Sequence, residues 1–331
     1  MANRLPFLLA CSAWLVATAV HAQSQPAPAP APAGPTAVAP LTVQAGPGPL
    51  TVRKDTREFV QSFAASTPAI DQIPRWQTPI CITVAGLAPD QAARVASRIE
   101  EVAEGVGMHA LKPGCNANIE VVFTDRPQAF MDKVADSREE VLGYYHRHER
   151  DRLKTVTRPI QAWYMTATNS FAGPNGGLAT ATITTTSGGG AHALDFQPKA
   201  NVIDDPNNPG PTACGDSPPF THCLQSELNN VLIVVDTSRL KDLTLGPVTD
   251  YLSMLALAQP KSLDGCAALS SVIDLLGPSC RDRQAPDGLT PADAAYLTAL
   301  YAANLGSNKQ FEQSDISSRM ASILVKANRL H

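Results

Sequence analysis

Val231-Leu232-Ile233-Val234-Val235, closed by Asp236, is the strongest strand candidate in the chain. It is apolar on both faces, which predicts a central strand covered on both sides. Upstream, Ile80 to Val84 and Ile119 to Phe123 are two more β-prone runs. Between them Pro89 opens a helix whose apolar residues Val95, Ile99, Val102 and Val106 recur at spacings of 4, 3 and 4, and Gly105 and Gly107 close it. Strand, helix, strand is the sequence form of a parallel crossover unit. Phe59, Val60 and Phe63 predict a helix over Asp55 to Ala65, and Asp125 can cap another through Phe130, Met131 and Val134. Pro159 to Met165 and Leu178 to Thr186 are β-prone.

After Val235 the pattern turns helical. Helices are expected over Pro247 to Ala258, weakly between Cys266 and Cys280, from Thr290-Pro291 to Tyr301, and from Glu312 to Lys326. The expected fold class is α+β: a mixed β-sheet flanked by helices, with a helical C-terminal third.

Of the 331 residues, 30 are Asp or Glu and 26 are Lys or Arg, a net charge of −4 that offers no footprint for nucleic acid. A hydrophobic share of 44% and a charged share of 17% exclude a wholly disordered chain. Arg4 precedes the apolar run Leu5 to Val20, and Val20-His21-Ala22 follows. These are the parts of a secretory signal peptide over residues 1–22 with cleavage after Ala22, and no transmembrane segment is expected once it is removed. Leu8-Leu9-Ala10-Cys11 resembles a lipoprotein site, but it leaves too short an apolar core before the cysteine. Residues 23–50 hold eight prolines and no charge, including Pro-Ala repeats from Pro26 to Ala33. Such a segment is a disordered, extended linker, and 51–331 is expected to form a single mixed α/β globular domain. The expected location is the periplasm or the extracellular medium.

Export leaves six cysteines of the seven, an even set that suits an oxidising compartment. Six cysteines allow 15 connectivities, and spacing favours Cys81–Cys115, Cys214–Cys223 and Cys266–Cys280. Cys81 and Cys115 each start a predicted strand of the crossover unit, so they would meet at one edge of the sheet. Closing loops of this size stabilises a fold by about 2–4 kcal/mol each. Paired Cys-x-x-Cys or Cys/His clusters for zinc are absent, so neither metal nor other cofactor is expected.

The common textual signatures of hydrolases, phosphate-loop enzymes, zinc peptidases and dinucleotide enzymes are missing. Ser238-Arg239-Leu240-Lys241 matches Ser-x-x-Lys, but its partner elements are not present, and a polar turn is expected. His146-x-His148 lies in a segment crowded with Arg147, Arg150 and Arg152, which disfavour a bound cation. In Asp205 to Gly210, Pro209 takes a position where a calcium loop needs a donor. The helix Pro247 to Ala258 is apolar nearly all round, yet Thr249, Asp250 and Ser253 share one face. That stripe could line a cleft, with His192 or His222 as base. The plainer reading places Asp250 near the positive end of the helix dipole and bonds Ser253 locally.

Val231 to Asp236, Leu245 to Gln259 and Leu289 to Tyr301 together resemble a group of uncharacterised exported proteobacterial proteins. The resemblance extends to Trp76–Leu87, Trp163-Tyr164 and Asp315–Leu324, and carries no activity with it. A more distant similarity is to zincin-like metallopeptidases. Thr249, Asp250 and Ser253 stand at the first, second and fifth positions of the His-Glu-x-x-His helix, which implies a descendant without the metal histidines. Two functions are weighed. The favoured one is a non-catalytic periplasmic binding or interaction module whose partner is a protein or cell-envelope component. The other is a divergent hydrolase with a cleft around the 247–258 helix.

Overall fold

A computed structural model of the chain describes residues 49–67, 70–137, 151–170, 182–185, 224–263, 266, 268–277, 286–304 and 306–328. The expected signal peptide and nearly all of the linker lie outside these residues. Helix α1 (Pro49–Phe63) begins two residues before the expected linker boundary. Then come β1 (Ile82–Ala85), α2 (Pro89–Gly105), β2 (Ile119–Thr124), α3 (Pro127–Ser137), β3 (Ile160–Ser170), β4 (Thr182–Thr185) and β5 (Leu224–Asp236). The last third is helical, with α4 (Leu245–Leu257), α5 (Pro291–Ala302) and α6 (Lys309–Asn328). The fold is α+β, as expected.

The five strands lie in the order β1-β2-β5-β3-β4. β1, β2 and β5 are parallel neighbours, with Ile82 opposite Ile119 and Ile119 opposite Val231. β3 runs antiparallel to both β5 and β4, so the sheet is mixed. α2 supplies the crossover between β1 and β2. Val95, Ile99 and Ala103 form its buried stripe, matching the helical spacing in the sequence.

β5 sits at the centre of the sheet for the reason its composition gave: both faces are covered. Val231, Ile233 and Val235 join the main core with α2, α4, α5 and α6, while Leu232 and Val234 join Met131, Val134, Leu153 and Trp163 on the opposite face. The strand is longer than its apolar run, however, and reaches back to Leu224. Its first half, Leu224-Gln-Ser-Glu-Leu-Asn-Asn230, is polar, and it is held extended by pairing with β3 rather than by its own preference. A register shift opposite Met165/Thr166 leaves Asn229 as the extra residue of a bulge.

The Cys81–Cys115 disulfide is formed as expected, across the starts of the crossover strands. Asn118 reinforces that edge: its side chain accepts from the Cys81 N–H at 2.6 Å and donates to the Pro79 carbonyl at 3.1 Å. At the other end of β1, Gly86 has φ of 85°, and a Cβ there would run into the Phe123 carbonyl oxygen. Only glycine tolerates both the dihedral and the close approach. In place of the weak helix expected between Cys266 and Cys280, the described residues form a single tight turn, Val272–Leu276, capped by Ser271. Cys266 is disulfide-bonded, whereas Cys280 and the Cys214–Cys223 pair lie outside the described residues. No helix among the described residues is long and apolar enough to cross a membrane.

Candidate functional site

α4 is buried on every side, and from Val248 to Leu257 no residue is exposed. A helix that ends inside a core leaves its last carbonyls without partners unless side chains reach them. Three aromatic donors from three elements do so here. Tyr164 on β3 donates to Leu255 O at 3.0 Å and to Ala258 O at 3.3 Å. Trp76 Nε1 donates to Ala256 O at 2.8 Å, and Tyr301 on α5 donates to Leu257 O at 2.8 Å. Burial raises the Tyr164 and Tyr301 phenols well above their usual range, so both remain donors. The end of α4 is thereby fixed to the sheet, to the loop after α1 and to α5.

The polar stripe that the sequence placed on this helix is present, but its groups are already engaged. Thr249 Oγ1 donates to Leu245 O at 2.7 Å, and Ser253 Oγ donates to Thr249 O at 3.0 Å. Both hydroxyls thus bond back to the preceding turn of their own helix, the local bonding expected for Ser253. Asp250 differs from the dipole reading. It stands beyond the first turn of α4, and its Oδ1 accepts from Arg98 Nε of α2 at 2.7 Å. Its Oδ2 accepts from the Leu289 N–H at 2.8 Å, just before α5. Asp250 therefore ties α4 to α2 and to the segment just before α5, and Arg98 also holds Glu101 at 2.8 Å. These carboxylates, Asp250 foremost, raise the Arg98 guanidinium above its usual range. Gly288 completes the arrangement, since a Cβ there would collide with Asp250 Oδ2.

His192 and His222 lie outside the described residues, as do His146, His148, Asp205 and Gly188 to Gly190. Among the described residues the only histidine is His109, which is exposed, and no three His, Cys, Asp or Glu side chains group as metal ligands. Ser238 occupies the polar turn expected for it. Its N–H and Oγ both donate to Asp236 Oδ1, at 3.0 and 2.5 Å, while Lys241 is exposed.

Asp293 and Glu312 are buried carboxyl groups that the sequence reading missed. Asp293 accepts from Ser271 Oγ at 2.5 Å, Val272 N at 2.8 Å, and both Thr290 N and Thr290 Oγ1 at 2.9 Å. It caps α5 and the 272–276 turn together, and burial keeps its carboxyl above the ordinary range against these donors. Thr290-Pro-Ala-Asp293 has the spacing of a capping box, a readable signal for half of this role. The second group is Glu312, on α6, close to Arg75. No spacing links these two, and only the fold brings them together. An open groove of about 350 Å³ runs between α5 and α6, with Ala299, Ala302 and Ile323 in its lining. Its Thr298 and Ser322 hydroxyls bond to carbonyls of their own helices.

No family model, no curated protein and no solved structure matches this chain.

Proposed function

We propose that the protein is an exported, non-catalytic binding or interaction module acting on a protein or cell-envelope partner outside the cytoplasm. The observation that supports this reading is the state of the α4 stripe. Thr249 and Ser253 donate to their own helix, and Asp250 is held by Arg98 and the Leu289 amide. A nucleophile needs a hydroxyl within about 3 Å of a base or one water away, and these hydroxyls point into helix carbonyls instead. The Cys81–Cys115 disulfide fits an oxidising compartment. The resemblance to uncharacterised exported proteobacterial proteins supports export alone and carries no activity.

The test is elemental analysis and fluorophosphonate labelling of the mature protein purified from periplasm, alongside Ser253→Ala. The expected result is no stoichiometric metal and no labelling that depends on Ser253. One metal ion per chain, or labelling abolished by S253A, would overturn the proposal in favour of a hydrolase.

A further inference from the structure

β1 lies at one edge of the sheet, with β2 on its inner side. Its register fixes where its backbone groups point. Cys81 O accepts from the Ile119 N–H at 3.0 Å, and alternate residues of a strand bond to opposite sides. Residues 81, 83 and 85 therefore serve β2, while 80, 82 and 84 face outward. Ile80 is already served on that outer side. Its N–H donates to His109 O at 2.9 Å, and its carbonyl accepts from the Leu111 N–H at 2.8 Å. Past Ile80 the row is open: the N–H and C=O groups of Ile82 and Val84 have no partner among the described residues. The Cys81–Cys115 disulfide and Asn118 pin the start of β1, so the open row is held extended in advance of any partner.

We propose that the outer edge of β1 is a docking site for an extended, basic peptide segment of the partner, which adds a strand alongside Ile82 and Val84. This deepens the reading of the protein as an interaction module and rests on it.

α2 packs on β1 and forms the flank of this edge. Arg98 reaches Asp250 of α4, so that side of α2 looks toward the middle of the sheet. Ala92, Ala96 and Glu100, each four residues apart, lie on the other side of the buried stripe, above the open edge. All three are half-buried. The two alanines are short, so nothing bulky rises from the helix against an incoming side chain. Glu100 and, one turn on, the exposed Glu104 form no ion pair among the described residues, whereas Asp90 is held by Arg94 and Glu101 by Arg98. Lys112, which follows the 109–111 segment, pairs with neither. The flank is thus acidic and not neutralised from within the fold, which selects a partner carrying Lys or Arg. On the other face of β1, Thr83 and Ala85 are exposed and small. Added strands bind through main-chain hydrogen bonds, and alternate side chains give the selectivity.

The experiment is an amide NMR titration of the full mature protein at low and high salt. The probe is an acetylated, amidated octapeptide of alternating Val and Lys, and the control is its Val/Glu counterpart. The Lys peptide should shift the Ile82 and Val84 amides and protect them from exchange. Binding should be about tenfold weaker for the Glu peptide, and weaker for the Lys peptide in high salt. Val84→Pro removes an outward N–H without touching the β2 ladder, and should abolish the response at Ile82. Glu100→Gln with Glu104→Gln should narrow the difference between the two peptides and leave the edge pairing in place. No response at Ile82 and Val84, equal binding of the two peptides, or binding unchanged in V84P would each overturn the site. Should V84P fail to fold, the double glutamine variant decides, and a peptide difference that it leaves unchanged overturns the acidic flank as the selector. Each of these failures leaves the non-catalytic reading standing, because metal analysis and labelling test it separately.

Discussion

Two long-range arginine–carboxylate pairs among the described residues differ in what surrounds them. Arg98–Asp250 is close at 2.7 Å, with side chains 37% and 13% exposed. Arg75–Glu312 is distant at 4.0 Å and almost wholly buried. By geometry alone the first is the better ion pair. By energy it is the lesser one, because water screens it and would solvate either partner left behind. The buried pair gains less from its own attraction, yet neither partner can be removed without leaving a charge out of water. Burial, rather than distance, sets the consequence of breaking each pair.

Three substitutions would break or sharpen this contrast. Arg75→Met should have the largest effect, destabilising the protein by about 3–5 kcal/mol in denaturant unfolding. It leaves Glu312 without a counter-charge and frees the Leu300 and Asn304 carbonyls. Adding Glu312→Leu should recover much of that loss, and a double variant no more stable than R75M would contradict the argument. Gly288→Ala comes next, at about 1–3 kcal/mol, because its methyl must displace Asp250 Oδ2 from the Leu289 amide. Thermal unfolding would measure it, and an unchanged midpoint would mean that Asp250 does not tie α4 to α5. Arg98→Ala should cost least, about 1 kcal/mol or less, with the loss shrinking further in high salt. A loss as large as that of R75M would erase the distinction between the two pairs.

Much of the fold could be read from local pattern. The run Val231 to Val235, the 4-3-4 stripe of α2 and the Thr290-Pro291 start of α5 each state their structure within a few residues, and each is found in place. The cysteine pairing Cys81–Cys115 was legible because it follows from the parallel crossover. The polar half of β5 was not legible, since Gln225 to Asn230 become a strand only against β3. Nor was the role of Asp250, whose partners stand on α2 and before α5, 152 and 39 residues away. The stripe Thr249, Asp250, Ser253 was read correctly as one polar face. Whether that face was a site depended on where its hydrogen bonds went, which periodicity does not encode.

The sequence by itself determined most of the helices and strands, that the Val231–Val235 run is central, and that Cys81 and Cys115 can pair. Hydrophobic period and turn residues act over a few positions, so these features are local. Only the tertiary structure decided that Tyr164, Trp76 and Tyr301 close the end of α4, that Asp250 binds helices together, and that Glu312 lies buried beside Arg75. Burial and the pairing of distant polar groups follow from how the elements pack. The same carboxyl is an ordinary acid on an open helix and a near-neutral one inside the core.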